Sequence, residues 1–280
     1  MFFHHNNKMD EKTLEILFTR HSSSCGNARE FSDRGKLYKL AKLQSLNPPL
    51  SNLGLMQIET ALAAQNQDGL TFKKFIRSTV DKVCCSDMLR ACETAKNLFP
   101  DREITVLPFV GEKSKAKLFI HLNNRQHGPI DTVRRLKELK YDTSHFNYNL
   151  YVELTKGKIP FPNKKKFWEE IVLKKWFNPA SPFYLFKHRN RVRVLIVSHG
   201  HFLRDLVTED TKATPDFWHS RSLFQPSENG CLTVQQKHCS EPNYKPRVSD
   251  IGNVGTFMLR VTEKNFQHKR LPAPTNILET

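Results

Sequence analysis

Four residues stand out for the chemistry they could share. Three short apolar runs lead into Arg20-His21, into Ser86-Asp87-Met88-Leu89-Arg90 and into Ser198-His199-Gly200, so two guanidinium groups and two imidazoles leave such runs on the same side. A histidine after one strand is ordinarily a hydrogen-bonded structural residue. Independent segments that all end this way suggest a shared purpose. Arginine is permanently charged, and its planar fork of donors matches phosphate oxygens, so two arginines suit a dianionic phosphoryl group. A neutral imidazole nitrogen can attack phosphorus in line with the leaving oxygen, and water can later hydrolyse the phosphohistidine. That route needs no metal. Zinc is the competing idea for paired histidines, but it would want a third Cys, His or carboxylate ligand and would be repelled by the guanidinium groups. No HExxH pattern occurs.

The elements that must position these groups can be read from the pattern of apolar residues. Leu14 to Thr19, Val80 to Ser86 and Val192 to Ser198 have the length and β-branched content of buried strands. Helices are expected over Asn52 to Gln65 behind a Ser51 or Asn52 cap, over Leu89 to Phe99, and over His201 to Val207. Repeated strand–helix order implies a mostly parallel sheet, and ligands of such sheets gather at the carboxyl ends of the strands. Ile104 to Leu107, Cys231 to Gln235 and Thr256 to Val261 are weaker strand candidates. The fold class expected is a three-layer α/β sandwich with a largely parallel central sheet flanked by helices, plus an inserted helical cap region. One domain spans residues 1–280, with insertions at about 28–47 and 113–190 and a loose tail at 271–280. Within the second insertion, helices are expected at Ile130 to Tyr141 and Lys164 to Phe177, the latter with an apolar and a basic side.

Composition narrows the classes. A hydrophobic fraction of 38% with 20 Phe can build a sizeable core. No apolar run is long enough to span a membrane and the first residues lack a signal-peptide core, so an intracellular, cytoplasmic protein is expected. The six cysteines, Cys25, Cys84, Cys85, Cys92, Cys231 and Cys239, are too scattered for a disulfide framework and are expected to be reduced thiols. With 44 Lys and Arg against 28 Asp and Glu, the formal charge is +16. Basic clusters fall at Lys113 to Lys117, Arg134-Arg135, Lys164 to Lys166 and His188 to Arg193. Such a field attracts phosphorylated small molecules, phosphoproteins, nucleic acid or acidic surfaces alike.

Longer motifs carry a resemblance. Arg20-His21-Ser22-Ser23-Ser24-Cys25-Gly26-Asn27 is similar to the RHGxxxxN signature of the histidine phosphatase superfamily, the phosphoglycerate mutase-like family. Pro49 to Gln57 resembles its PLTxxGxxQ segment, Ser86 to Ala95 its SxLxRAxETA segment, and Val197-Ser198-His199-Gly200 its VSHG. Asn229-Gly230 sits where a late Asn-Gly turn is usual. The matches occur in family order from residue 14 to about 235, with the middle section unmatched. The resemblance implies a metal-independent enzyme without a cofactor, with His21 as nucleophile. Arg20, Arg90, His199 and Asn27 would bind phosphate. It also implies an acid from Val110-Gly111-Glu112, whose Glu112 would protonate the leaving oxygen, its carboxyl kept protonated by anionic surroundings. Ser22 replaces the family's glycine, and a side chain there is expected to alter the pocket or lower activity.

Rival readings rest on other residues. Cys84 and Arg90 have the C-x5-R spacing of cysteine-dependent phosphatases, but the residues between them contain no glycine and bring Asp87 toward the anion. A binding module without turnover could use Phe119, Phe167, Trp168, Trp176 and Phe177 among basic residues as a nucleic-acid surface. No RRM, KH or zinc-finger pattern accompanies them. Within the enzyme class, the insertions favour a phosphatase over a mutase. The basic middle section is expected to cap the pocket and favour substrates with more than one negative group.

Overall fold

The first apolar run forms strand β1, Thr13–Arg20. Its side chains alternate across the sheet, with Leu14, Ile16 and Phe18 in one core layer and Leu17 in the other. The chain is seen here as a computed structural model that describes residues 11–24, 47–65, 68–112, 128–208 and 254–262. After β1 come α1 (Asn52–Ala63), α2 (Phe72–Thr79), β2 (Lys82–Ser86), α3 (Leu89–Leu98) and β3 (Ile104–Leu107). Then follow α4 (Gly128–Glu138), β4 (Phe146–Asn147), α5 (Asn149–Thr155) and a single turn α6 (Lys164–Lys166) that runs into a π-helix, Phe167–Trp176. The last described elements are β5 (Arg191–Ser198), α7 (Gly200–Thr208) and β6 (Thr256–Thr262).

The sheet order is β4-β3-β2-β5-β1-β6, parallel throughout except for β6, which is antiparallel to β1. Strand β5 therefore lies between β1 and β2. Arg20 pairs with Ser198 and Cys85 with Val197, so the chain leaves all three strands at one level of the same edge. This adjacency brings distant motifs together.

Each face of the sheet has its own apolar layer. On one, Phe18, Val194, Ile196 and Leu259 meet Phe167, Ile171, Val172 and Trp176 of the π-helix and Phe202, Leu203 and Leu206 of α7. On the other, Leu17, Leu195, Val197, Val83 and Val106 meet Ile58 of α1, Phe72 and Ile76 of α2, and Ala91, Cys92 and Ala95 of α3. The expected three-layer α/β sandwich is what forms. No helix among the described residues is long and apolar enough to cross a membrane.

The middle section differs from a simple cap. Its described part, residues 128–190, adds edge strand β4 to the sheet and contributes much of one core layer. Phe167 packs edge-on against Phe18 at 5.9 Å and against Phe202 at 6.1 Å, tying β1 to α7. The helix expected over Lys164 to Phe177 is present but widens after its first turn, as the Phe177 N–H donates to the Val172 carbonyl five residues back at 3.0 Å. That pitch aligns Phe167, Ile171, Val172 and Trp176 toward the sheet, all buried. Helix α2 and elements β4 and α5 go beyond the expected set. They are short, and α2 buries only Phe72 and Ile76, behind a Thr71 hydroxyl cap. The candidate strand Cys231 to Gln235, the Asn229-Gly230 turn, most of the 28–47 insertion and the tail lie outside the described residues.

At the opposite end of the sheet from the strand-end motifs, Glu15 is fully buried in β1. The register sets it beside Arg193 of β5 and Arg260 of β6, and it accepts hydrogen bonds from Arg191, Arg193 and Arg260 at 2.6, 2.7 and 3.0 Å. Burial opposes ionisation of this carboxyl, but the three guanidinium groups outweigh it and hold the group below its ordinary range. Its contribution to stability is therefore present above the unfolded carboxyl's pKa and lost as pH falls through the folded value. Glu15→Ala is expected to cost about 2 kcal/mol at pH 7, less than a fully buried pair because Arg191 and Arg260 reach solvent. It should also weaken the loss of stability on acidification; urea unfolding at several pH values measures both.

Candidate active site

His21 emerges from β1 with its backbone N–H donating to the Ser198 carbonyl of β5 at 2.9 Å. Its ring is 2% exposed. Nδ1 lies 2.6 Å from the Ser22 carbonyl, an acceptor, so Nδ1 carries the proton and Nε2 has the lone pair. Arg90 Nε donates to that Nε2 at 3.1 Å. Burial, then the charges of Arg90 and Arg20, hold the imidazole well below its usual protonation range, with only the Ser22 carbonyl opposing. At neutral pH the ring is therefore uncharged.

The loop behind His21 is clamped by helix α1. Ser22 Oγ donates to the Gly54 carbonyl at 2.6 Å and to Gln57 Oε1 at 2.9 Å, and the Ser23 N–H donates to the same Gln57 oxygen at 3.0 Å. The Ser22 N–H is held by Thr94 Oγ1 of α3 at 3.1 Å. A Cβ on Gly54 would stand 2.1 Å from the Ser23 carbonyl oxygen, so only glycine allows this approach. Ser22 does not carry the positive φ that would demand glycine, and its hydroxyl is committed to α1. The expected disturbance from this serine is thus not visible in the local geometry.

Arg90 projects from the first turn of α3 and is 4% exposed. That helix has no side-chain cap from Met88; instead Asn47 Oδ1 accepts from the Leu89 N–H at 2.9 Å, while the Asn47 carbonyl accepts from Arg135. Neighbouring Glu93 is used structurally: its carboxylate accepts the Leu50 N–H at 2.8 Å, and burial pushes the carboxyl up to about 7. Arg20 lies against Gly200, where a Cβ would stand 3.3 Å from its Nε.

His199, fully buried at the end of β5, stacks obliquely near His21 with ring centroids 4.8 Å apart. Its Nε2 shares a 2.6 Å hydrogen bond with Ser86 Oγ. Nδ1 is buried with no hydrogen-bond partner, and Glu112 Oε2 lies 3.8 Å away. Burial, followed by the charges of Arg90, His21 and Arg20, holds this imidazole well below its usual range too. A buried polar atom left without a partner beside two guanidinium groups is a place for an anion.

Glu112 joins the cluster as expected, with Oε2 3.9 Å from Arg90. Burial raises its proton affinity, but the hydrogen bond from His201 and the charges of Arg90, His201 and Arg20 outweigh that, so the carboxyl sits below its ordinary range. In the site without an anion it is a carboxylate. Asn27, the remaining predicted phosphate ligand, lies outside the described residues.

His21, Glu112 and His199 bring ligand-type atoms within 4.8 Å of one another, supplying the third metal-binding group that sequence alone did not reveal. The set fits a dication poorly. The lone pair at His21 Nε2 already accepts from Arg90 Nε, and the two guanidinium charges that deter a proton from both rings would deter a dication more strongly. The cysteine alternative is also disfavoured. Cys84 is buried in the apolar layer and its thiol is pushed up to about 12 by burial, so a thiolate nucleophile is costly. Phe167, Trp168, Trp176 and Phe177 are core residues, which removes the stacking surface the nucleic-acid reading used; Phe119 lies outside the described residues.

Residues not anticipated as part of the site are His201, Ser86, Thr94, Gln57 and Asn47. All but Asn47 lie within or beside the matched motifs, so position near a motif was the available signal. Their partners come from other segments and are set by the fold.

No family model matches the chain, and no curated protein matches it. Solved structures similar to it include phosphoserine phosphatase from Entamoeba histolytica in complex with 3-phosphoglyceric acid. That likeness is at 14% identity and TM-score 0.40, covering 94% of this chain and 95% of that one. Mycobacterial hydrolase 1 is similar at 14% identity and TM-score 0.40, covering 94% and 100%. Phosphoglycerate mutase from Bacillus anthracis is similar at 13% identity and TM-score 0.37, covering 90% and 89%. Likenesses of this size carry no weight in assigning a reaction to this chain, for which the side-chain geometry has to speak.

Proposed function

We propose that this chain is a histidine phosphatase, hydrolysing a phosphomonoester through a phosphohistidine on His21 without a metal ion. The observation that carries the reading is the unprotonated Nε2 of His21, buried beside Arg90 and facing His199. An arriving phosphoryl group takes over the Arg90 donors and meets the unpartnered His199 Nδ1. The Nε2 lone pair then forms the N–P bond as the P–O bond to the leaving group breaks. The leaving oxygen takes a proton from Glu112, whose affinity for one rises when the dianion offsets the guanidinium charges. In the second half, water attacks phosphorus and gives its proton back to the Glu112 carboxylate, releasing inorganic phosphate and restoring His21.

Two features favour a substrate with additional negative charge. Lys164 Nζ reaches the Asp205 carbonyl of α7, and Lys166 lies over the Phe109 ring, next to the turn leading to Glu112. Lys165 projects with its side chain 81% exposed. Lys164 and Lys166 thus sit where the segment before Glu112 and the helix after His199 meet, and Lys165 lies between them in sequence with an ion pair to Glu169 at 3.7 Å.

The first test is release of inorganic phosphate from a phosphomonoester panel with and without a strong chelator. Wild-type turnover is expected to be unaffected by chelation, with His21→Ala inactive and Arg90→Ala reduced by about 10²–10³-fold in kcat. Chelation that removes activity, restored by zinc, would refute the metal-free reading. Appearance of an isomerised phosphoester in place of inorganic phosphate would identify a mutase. In the same panel, joint replacement of Lys164, Lys165 and Lys166 by Gln should lower kcat/KM for substrates bearing a second anionic group by about tenfold, with a smaller effect on those without one. Equal effects on both kinds of substrate would contradict the assignment to the lysines.

A further inference from the structure

Glu112 is held asymmetrically. Its Oε1 receives two donors from one residue at the start of α7, the backbone N–H of His201 at 3.2 Å and the His201 ring Nδ1 at 2.7 Å. Its Oε2 is turned the other way, 3.8 Å from His199 Nδ1 and 3.9 Å from Arg90. One oxygen is thus anchored to a helix N-terminus, and the other faces the gap between the two imidazoles and Arg90. The carboxylate is 8% exposed while the His201 side chain is 41% exposed, so the histidine bridges the buried acid to solvent. A surface histidine in a fortuitous ion pair would have no reason to engage the same oxygen through both ring and backbone.

From this geometry we infer that His201 is a positioning residue, fixing the Glu112 carboxyl so that Oε2 delivers the proton to the leaving oxygen. The inference rests on the phosphatase reading above and adds a residue to it. The charged and titratable groups around Glu112 are Arg20 at the end of β1, His21 after it, Arg90 of α3, His199 after β5 and His201 itself. Of these, His201 alone has a ring within hydrogen-bond distance of Glu112 Oε1. Loss of the ring leaves the carboxylate one backbone donor and freedom to turn. The consequence is specific: proton delivery weakens, while phosphate binding by the arginines and attack by His21 do not depend on it directly.

That specificity supplies the test. Leaving groups of high pKa need the proton as the P–O bond breaks, whereas 4-nitrophenolate leaves with little help. Values of kcat/KM, which report formation of the phosphohistidine, are measured for an alkyl phosphate and for 4-nitrophenyl phosphate. In His201→Ala the alkyl-to-aryl ratio is expected to fall at least tenfold. His201→Asn, which places an amide donor near the position of Nδ1, should recover the ratio to within about threefold of wild type. A ratio unchanged in His201→Ala, or no recovery in His201→Asn, overturns the inference, because a purely structural role would lower both substrates together. Failure of the underlying reading shows separately: Glu112→Gln would then lack any dependence on the leaving group, or His21→Ala would remain active, and the role of His201 falls with it.

Discussion

Two guanidinium groups confined beside two imidazoles, in a space nearly closed to water, create a demand for negative charge. Within this space both histidines are poor bases, the Glu112 carboxyl is held below its ordinary range, and His199 Nδ1 has no hydrogen-bond partner. Burial weakens both imidazoles first and the guanidinium charges add to it, while at Glu112 the His201 hydrogen bond and the same charges outweigh burial. In water the cations would be screened and the imidazoles would take protons near neutrality; buried, the charges act at close range through little dielectric. A phosphoryl dianion relieves all of these conditions together, which is why the reading centres on phosphate rather than on a metal or a neutral ligand.

Holding such a cluster requires backbone placement from several directions. Parallel pairing of β5 with both β1 and β2 sets His21, His199 and Ser86 at one level. The remaining motif residues act as struts: Gly54 permits close contact with the Ser23 carbonyl, Gln57 and Thr94 fix the Ser22-Ser23 backbone, and Ser86 orients His199. The motifs therefore encode the support of the site as much as its reactive groups. The π-helix contributes from the other face, where Phe167 links β1 and α7 through ring contacts.

Much of this was legible before the fold was known. Buried strands such as Leu14 to Thr19 and Val192 to Ser198 declare themselves through runs of apolar residues, and the reactive groups follow them directly. Glu112 was identified only through its motif, and its ionised state depends on the His201 hydrogen bond and on arginines 22 and 92 positions away in the chain, distances that no local pattern reports. His201 was read as helix and nothing more, because its role appears only when the turn bearing Glu112 packs on α7. Short elements such as α2 and β4 escaped because tertiary burial, not periodicity, stabilises them. The widened helix at Phe167 likewise answers to the sheet it covers.

The central claim is that phosphorus becomes bonded to the nitrogen of His21. It is tested most directly by mixing the protein briefly with a 32P-labelled phosphomonoester, quenching in denaturant, and mapping the labelled peptide. The account predicts label on the peptide containing His21, stable in alkali and released in acid, and absent from the His21→Ala protein. Label on Cys84, on a carboxylate, or on no residue while inorganic phosphate is still released, would contradict it.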